Sequence, residues 1–85
     1  MTLRLHAEVC TADTDYGTVL LDQRTGAFWQ LNPTAALAVR RLLDGDTAEQ
    51  AATAMATAFD VGPDDALTDV LELVDQLRAA GLVSP

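Results

Sequence analysis

The side chains that most often carry covalent chemistry are scarce in this sequence. His6 is the only histidine and Cys10 the only cysteine. On one extended strand their spacing points both to the same face, about 13 Å apart at ~3.3 Å per residue. A Cys–His nucleophile pair needs hydrogen-bond reach, so that distance excludes one unless the strand bends sharply. Two such residues also fall short of a zinc ligand set. Acidic side chains are plentiful, but neither a calcium-loop spacing nor a glycine-rich phosphate loop is present. Asp64, Asp65 and Asp69 read as the solvated side of a helix. The expectation is a protein that is not an enzyme and has no metal site and no cofactor.

What remains is the chemistry of backbone and apolar surface. The stretch Val19–Asn32, VLLDQRTGAFWQLN, holds the only Trp and one of the two Phe. It reads as two strands, Val19–Asp22 and Ala27–Leu31, joined by Gln23-Arg24-Thr25-Gly26, with Gly26 supplying the positive φ of a short hairpin loop. The second strand stops at Asn32-Pro33, where a helix begins.

The whole chain has 85 residues, 49% of them hydrophobic, which allows one domain, residues 1–85, with a packed core. No apolar run is long enough to span a bilayer. Met1-Thr2-Leu3-Arg4 does not open a signal peptide, and a single cysteine fits a reducing compartment; a cytoplasmic protein is expected. The net charge is −8, with five Arg and no Lys. Nucleic-acid binders neutralise phosphates with Lys and Arg, so nucleic acid and anionic membrane are disfavoured partners, and a neutral or basic peptide or protein is favoured.

Leu3–Val9 alternates apolar and polar residues, the pattern of a half-buried strand; Thr11–Asp15 reads as a polar turn. The expected strands are therefore about 3–9, 18–22 and 27–31, in an antiparallel meander. The first helix, about 33–44, starts at an Asn32 N-cap with Pro33 at N1 and ends at Gly45. The second, about 47–59, can open with a capping box from Asp46 and Glu49 or from Thr47 and Gln50. The third, about 63–80, opens on Pro63 and is stopped by Gly81, after which Leu82-Val83 packs back or pairs briefly. The fold class expected is α+β: a three-stranded antiparallel sheet followed by three helices, winged helix-turn-helix-like.

In that meander the first and third strands are edges. Arg4, His6 and Glu8 guard the first, as charges often guard an edge against stray pairing. The third, Ala27–Leu31, carries no charge and no Pro, and both its faces bear an aromatic. Ala27, Trp29 and Leu31 lie on one face, Phe28 and Gln30 on the other. In the third helix, Ala66, Leu67, Val70, Leu71, Leu73, Val74, Leu77 and Ala80 spread over about half the circumference, wider than the roughly 100° a helix packed on one side needs. An unguarded edge beside an over-apolar helix is the layout of β-augmentation. The expected peptide site is Ala27, Phe28, Trp29, Gln30 and Leu31, faced by Val70, Leu73, Val74 and Leu77. Asp69, with Glu72 and Asp75, flanks that wall.

The run VLLDQRTGAFWQLNPTAALAVRRLLDGDT, followed by ALTDVLELVDQLRAAGLV, resembles the PqqD-like family of leader-peptide recognition domains (RiPP recognition elements), and among them the standalone members of lasso-peptide biosynthesis. Its carriers are Leu20-Leu21-Asp22, Gly26 to Asn32, the turn Asp44 to Thr47, and the spaced apolar residues from Asp69 through Leu82. Phe28 stands where Tyr is frequent. The resemblance implies the same α+β fold and binding of the leader of a ribosomally made precursor as an added strand on the third strand, in a cleft against the third helix. It also implies a separate leader peptidase, a transglutaminase-like cysteine protease, as partner. Service to a radical S-adenosylmethionine enzyme is the alternative within the family. A winged-helix DNA-binding regulator is the alternative outside it, disfavoured by the acidic charge.

Overall fold

The computed structural model describes residues 3–84, so residues 1, 2 and 85 of the expected 1–85 domain lie outside the described ones. In chain order the elements are β1 (Arg4–Leu5), β2 (Val9–Thr14), β3 (Gly17–Asp22), β4 (Phe28–Leu31), α1 (Pro33–Leu43), α2 (Ala48–Phe59), α3 (Pro63–Ala79) and β5 (Val83–Ser84). β2, β3 and β4 form an antiparallel sheet in that order, while β1 pairs with β5 in a separate two-stranded sheet. The fold class is α+β, as expected.

The identity of the first sheet strand is a correction. Of the alternating Leu3–Val9 segment, only the last residue, Val9, enters the main sheet. The segment turns at His6, whose carbonyl accepts from the Val9 N–H at 2.9 Å, and its first half pairs with the C-terminal Val83–Ser84. The expected polar turn is instead β2, matched to β3 from Val9↔Asp22 to Thr14↔Gly17. Most of β2 is exposed, so no apolar alternation marks it; pairing with the aliphatic β3 makes it a strand. Arg4 therefore lies in the separate β1–β5 sheet and His6 in the turn after it, and only Glu8, whose carbonyl accepts from the Gln23 N–H at 2.9 Å, borders the main sheet.

Helix ends follow their capping residues. Asn32 accepts from the Ala35 N–H at 2.8 Å with Pro33 at N1. Of the two possible capping boxes, Thr47 with Gln50 forms. After α1, Gly45 at φ 104° lets the Asp46 N–H reach the Arg41 carbonyl at 3.0 Å and its own N–H the Leu42 carbonyl at 3.1 Å, a Schellman ending. Gly17 is required for a different reason: a Cβ there would sit 1.9 Å from the Leu31 carbonyl oxygen, where β3 starts against the end of β4.

The helices pack on one face of the sheet. Leu20 and Leu31 from the sheet share the core with Ala38, Val39 and Leu42 of α1, Ala51 and Met55 of α2, and Val70, Val74 and Leu77 of α3. Leu3, Leu82 and Val83 close the same core from the β1–β5 side.

Candidate functional site

β4 is an edge of the sheet, and its ladder tells which of its backbone groups are open. The Asp22 N–H donates to the Ala27 carbonyl at 2.9 Å, so that pair is hydrogen-bonded. Alternation along an antiparallel ladder makes Leu20/Trp29 and Thr18/Leu31 the next bonded pairs, and Leu21/Phe28 and Val19/Gln30 the non-bonded ones, in the register observed. The N–H and C=O of Phe28 and Gln30 therefore point away from β3 to the open side. By the same logic Val9, Thr11 and Asp13 present their backbone outward on β2, at the opposite edge.

The side chains of β4 divide as alternation predicts. Leu31 is buried and Trp29 is half-buried against the core, on the helix side. Phe28 is 68% exposed, and Gln30 is exposed with it on the other side. Ala27 lies in the turn just before the strand, with its N–H held by Thr25 Oγ1 at 3.1 Å. At the C-terminal end of β4 opens a cleft of about 180 Å³, lined by Asn32, Thr34, Ala35, Met55, Asp69 and Leu73.

The third helix requires a second correction. Val70, Val74 and Leu77 are all at most 1% exposed and belong to the core, with no surface to offer a ligand. Only Leu73, half-buried, and Asp69, exposed, reach the cleft. The wide apolar arc is spent mainly on the core. Part of the remainder, Leu71, is 44% exposed and does not line the cleft. Glu72 and Asp75 are exposed.

Arg24 has a role that the sequence reading missed. Its Nε and Nη2 donate to both oxygens of the buried Asp22 at 3.0 and 2.9 Å, and Nη2 also donates to the Gly81 carbonyl at 2.7 Å. This one side chain ties the β3–β4 turn to Gly81, just past the end of α3. The guanidinium hydrogen bond holds the Asp22 carboxyl below its ordinary value of 3.8, overcoming the opposing effect of burial. A carboxylate with a depressed folded pKa contributes stability above its unfolded value and loses it as pH falls through the folded one. Asp22→Asn is accordingly expected to lower the Tm at neutral pH, with the gap from the parent closing as pH falls below about 3.8. Thermal unfolding followed by circular dichroism across that range checks this; a gap independent of pH contradicts it.

His6 and Cys10 are engaged locally. His6 Nδ1 accepts from the Glu8 N–H at 3.0 Å and Cys10 Sγ accepts from Gln23 Nε2 at 3.0 Å. Among the described residues no cluster of His, Cys, Asp or Glu is placed to hold a metal ion, and no helix is long and apolar enough to cross a membrane. A larger hollow, about 610 Å³, lies between α1 and α2 around Leu37, Arg41, Thr53 and Ala58. Its walls are helix surfaces whose backbone is already paired. The open backbone of β4, rather than volume, marks the candidate site.

Residues 17–83 match the model of the family described as coenzyme PQQ synthesis protein D (PqqD). No curated protein matches the chain. The fold is similar to that of a solved chain described as lasso peptide synthetase B1 complexed with the leader peptide, with a TM-score of 0.91, 45% sequence identity and 100% of each chain covered. It is also similar to TbiB1 in complex with the TbiA(beta) leader peptide, with a TM-score of 0.83 and 21% identity, covering 95% of this chain and 94% of that one. At that identity the likeness is one of fold.

Proposed function

The chain belongs to the PqqD family, and from that premise we propose that it binds the leader of a ribosomally synthesised precursor peptide, of the lasso class, as an added strand antiparallel to β4. The observation that carries this reading is the outward backbone of Phe28 and Gln30 on an uncharged edge beside the Leu73 cleft. The 45% identity to lasso peptide synthetase B1, whose structure carries a leader peptide, supports a leader as the strand that is added.

The magnitudes assign a role to each part. Phe28 and Gln30 offer four backbone hydrogen bonds, each worth a net ~0.5–1.5 kcal/mol, so about 2–6 kcal/mol in all. Micromolar affinity needs about 8 kcal/mol. The rest comes from leader side chains on the helix side, which meet Trp29 and enter the cleft lined by Ala35, Met55 and Leu73. Backbone pairing supplies affinity for any extended segment; the cleft supplies selection. Asp69, Glu72 and Asp75 favour a leader with Lys or Arg nearby, by ~0–1 kcal/mol per exposed pair. The domain breaks no bond itself: it presents the bound precursor, in the cytoplasm, to a separate leader peptidase of the transglutaminase-like cysteine protease type.

Isothermal titration with the leader of the precursor from the same locus tests the reading. One-to-one binding at micromolar affinity or tighter is expected. No heat at high-micromolar peptide contradicts it.

A further inference from the structure

Arg24 uses only part of its guanidinium within the chain. Nε and Nη2 are occupied by Asp22 and the Gly81 carbonyl. Nη1, with two N–H donors, has no partner among the described residues. The side chain is 38% exposed, so those donors are open to a ligand. They stand at one end of the groove between β4 and α3.

Two contacts fix that placement. Leu73 and Asp69 border Asn32, at the C-terminal end of β4. Gly81 is held by Arg24, in the turn before β4. α3 therefore runs antiparallel to β4, and the lengths agree. From Leu73 to Gly81 is about 12 Å along a helix axis, and from Ala27 to Leu31 about 13 Å along a strand. The hydrogen bond from the Asp22 N–H to the Ala27 carbonyl sets these two residues across from each other. Asp22 is buried and carries the guanidinium, while Ala27 is exposed and bears only a methyl group. No bulky side chain of β4 stands between Arg24 and the open edge.

A strand antiparallel to β4 passes the two ends of the groove in order. Its residue opposite Leu31 turns to the helix side and reaches the Leu73 cleft. Alternation brings the residue two positions on beside Trp29, and the residue four positions on across from Ala27, toward Arg24. There the ladder gives out, because the Gly26 N–H already donates to the Asp22 carbonyl at 2.8 Å. Nη1 of Arg24 is the next free donor along the path.

Resting on the leader-binding reading, we propose that Arg24 is a specificity-determining residue of the peptide site, whose Nη1 donates to a side-chain oxygen of the leader residue four positions C-terminal to the one in the Leu73 cleft. The surroundings set the class of that residue. Asp22 and Glu8 are the acids beside the guanidinium, so the place offers directed N–H groups rather than an excess of positive charge. A carboxylate, amide or hydroxyl oxygen serves. A leucine or valine there takes water from the donors and returns no acceptor.

Leader variants are titrated against the parent and against Arg24→Lys, which keeps a charge beside Asp22 but not the second arm of the guanidinium. An alanine scan of the leader on the parent and on Leu73→Ala first identifies the cleft residue, as the one whose effect depends on Leu73. Replacing the residue four positions on by Leu should then weaken binding roughly tenfold on the parent, as for a lost hydrogen bond to a charged group. On Arg24→Lys the same replacement should cost about twofold or less, while replacing the cleft residue should cost the same on both proteins. Side-chain N–H resonances of Arg24 in the parent should shift with the natural leader and not with the Leu-substituted one, a readout that stands if Arg24→Lys does not fold. Equal losses on the two proteins, unmoved Arg24 resonances, or an apolar residue at that position of the natural leader overturn this inference alone. A parent that binds no leader overturns the leader-binding reading and this inference with it.

Discussion

Gln30→Pro is expected to remove most leader binding while leaving the domain folded. The Gln30 N–H points to the open side of β4, so a proline there breaks no bond to β3. Edge positions of this kind are where strands tolerate proline. The preceding Trp29 is restricted to extended conformations, which it already adopts in β4. On the open side the consequences differ. The ring replaces a donor and occupies the space of an added strand, so the two bonds at Gln30 are lost together. At ~0.5–1.5 kcal/mol each, that is about 1–3 kcal/mol, or roughly five- to 150-fold in affinity. Thr11→Pro makes the same change on the open side of β2, and leader binding should be unaffected. Titration with leader, beside thermal unfolding of each variant, checks both; equal losses from the two prolines contradict a β4 site.

The second large effect separates two neighbours on α3 that sequence periodicity placed in one wall. Val74→Asp is expected to unfold the domain. Its side chain is 1% exposed, and an unpaired carboxylate there costs several kcal/mol or forces the site open. A chain of 85 residues has about 4–13 kcal/mol of stability in total, at ~0.05–0.15 kcal/mol per residue. Leu73→Asp is different. Half-buried at the cleft, its carboxylate can reach water, so the fold should persist. Leader affinity should fall by about tenfold or more, because a charge replaces the apolar contact that a leader side chain needs. Circular dichroism and titration check the pair. A folded Val74→Asp domain with impaired binding would return Val74 to the site, and a Leu73→Asp domain that binds normally would remove Leu73 from it.

The helices and the β3–β4 hairpin were legible in the sequence because their signals are local. Asn32-Pro33, Thr47 with Gln50, Pro63 and Gly81 each act within one turn of chain, and the observed helix ends lie within a residue of those expected. The uncharged Phe28–Leu31 edge was legible too, since charge needs no fold to be counted. Three features were not. β2 lacks alternation because both its faces are largely open, and it is defined by β3 rather than by its own residues. The Leu3–Val9 pattern is real, but its partner is Val83–Ser84 at the far end of the chain. The width of the apolar arc on α3 signalled burial without saying where: three helices and a sheet compete for it, and the core takes Val70, Val74 and Leu77. Arg24 escaped for a similar reason. Within the turn it looks solvated, and its second partner, Gly81, lies 57 residues away.

Amide hydrogen exchange resolved by residue, with and without leader, tests strand addition to β4 most directly. Protection should rise sharply at Phe28 and Gln30, whose N–H groups gain partners. Trp29 and Leu31, already bonded to β3, should change little, and so should Thr11 and Asp13 on the far edge. Protection gained at Thr11 and Asp13, with Phe28 and Gln30 still exchanging as in the free domain, would contradict the account even if the leader binds.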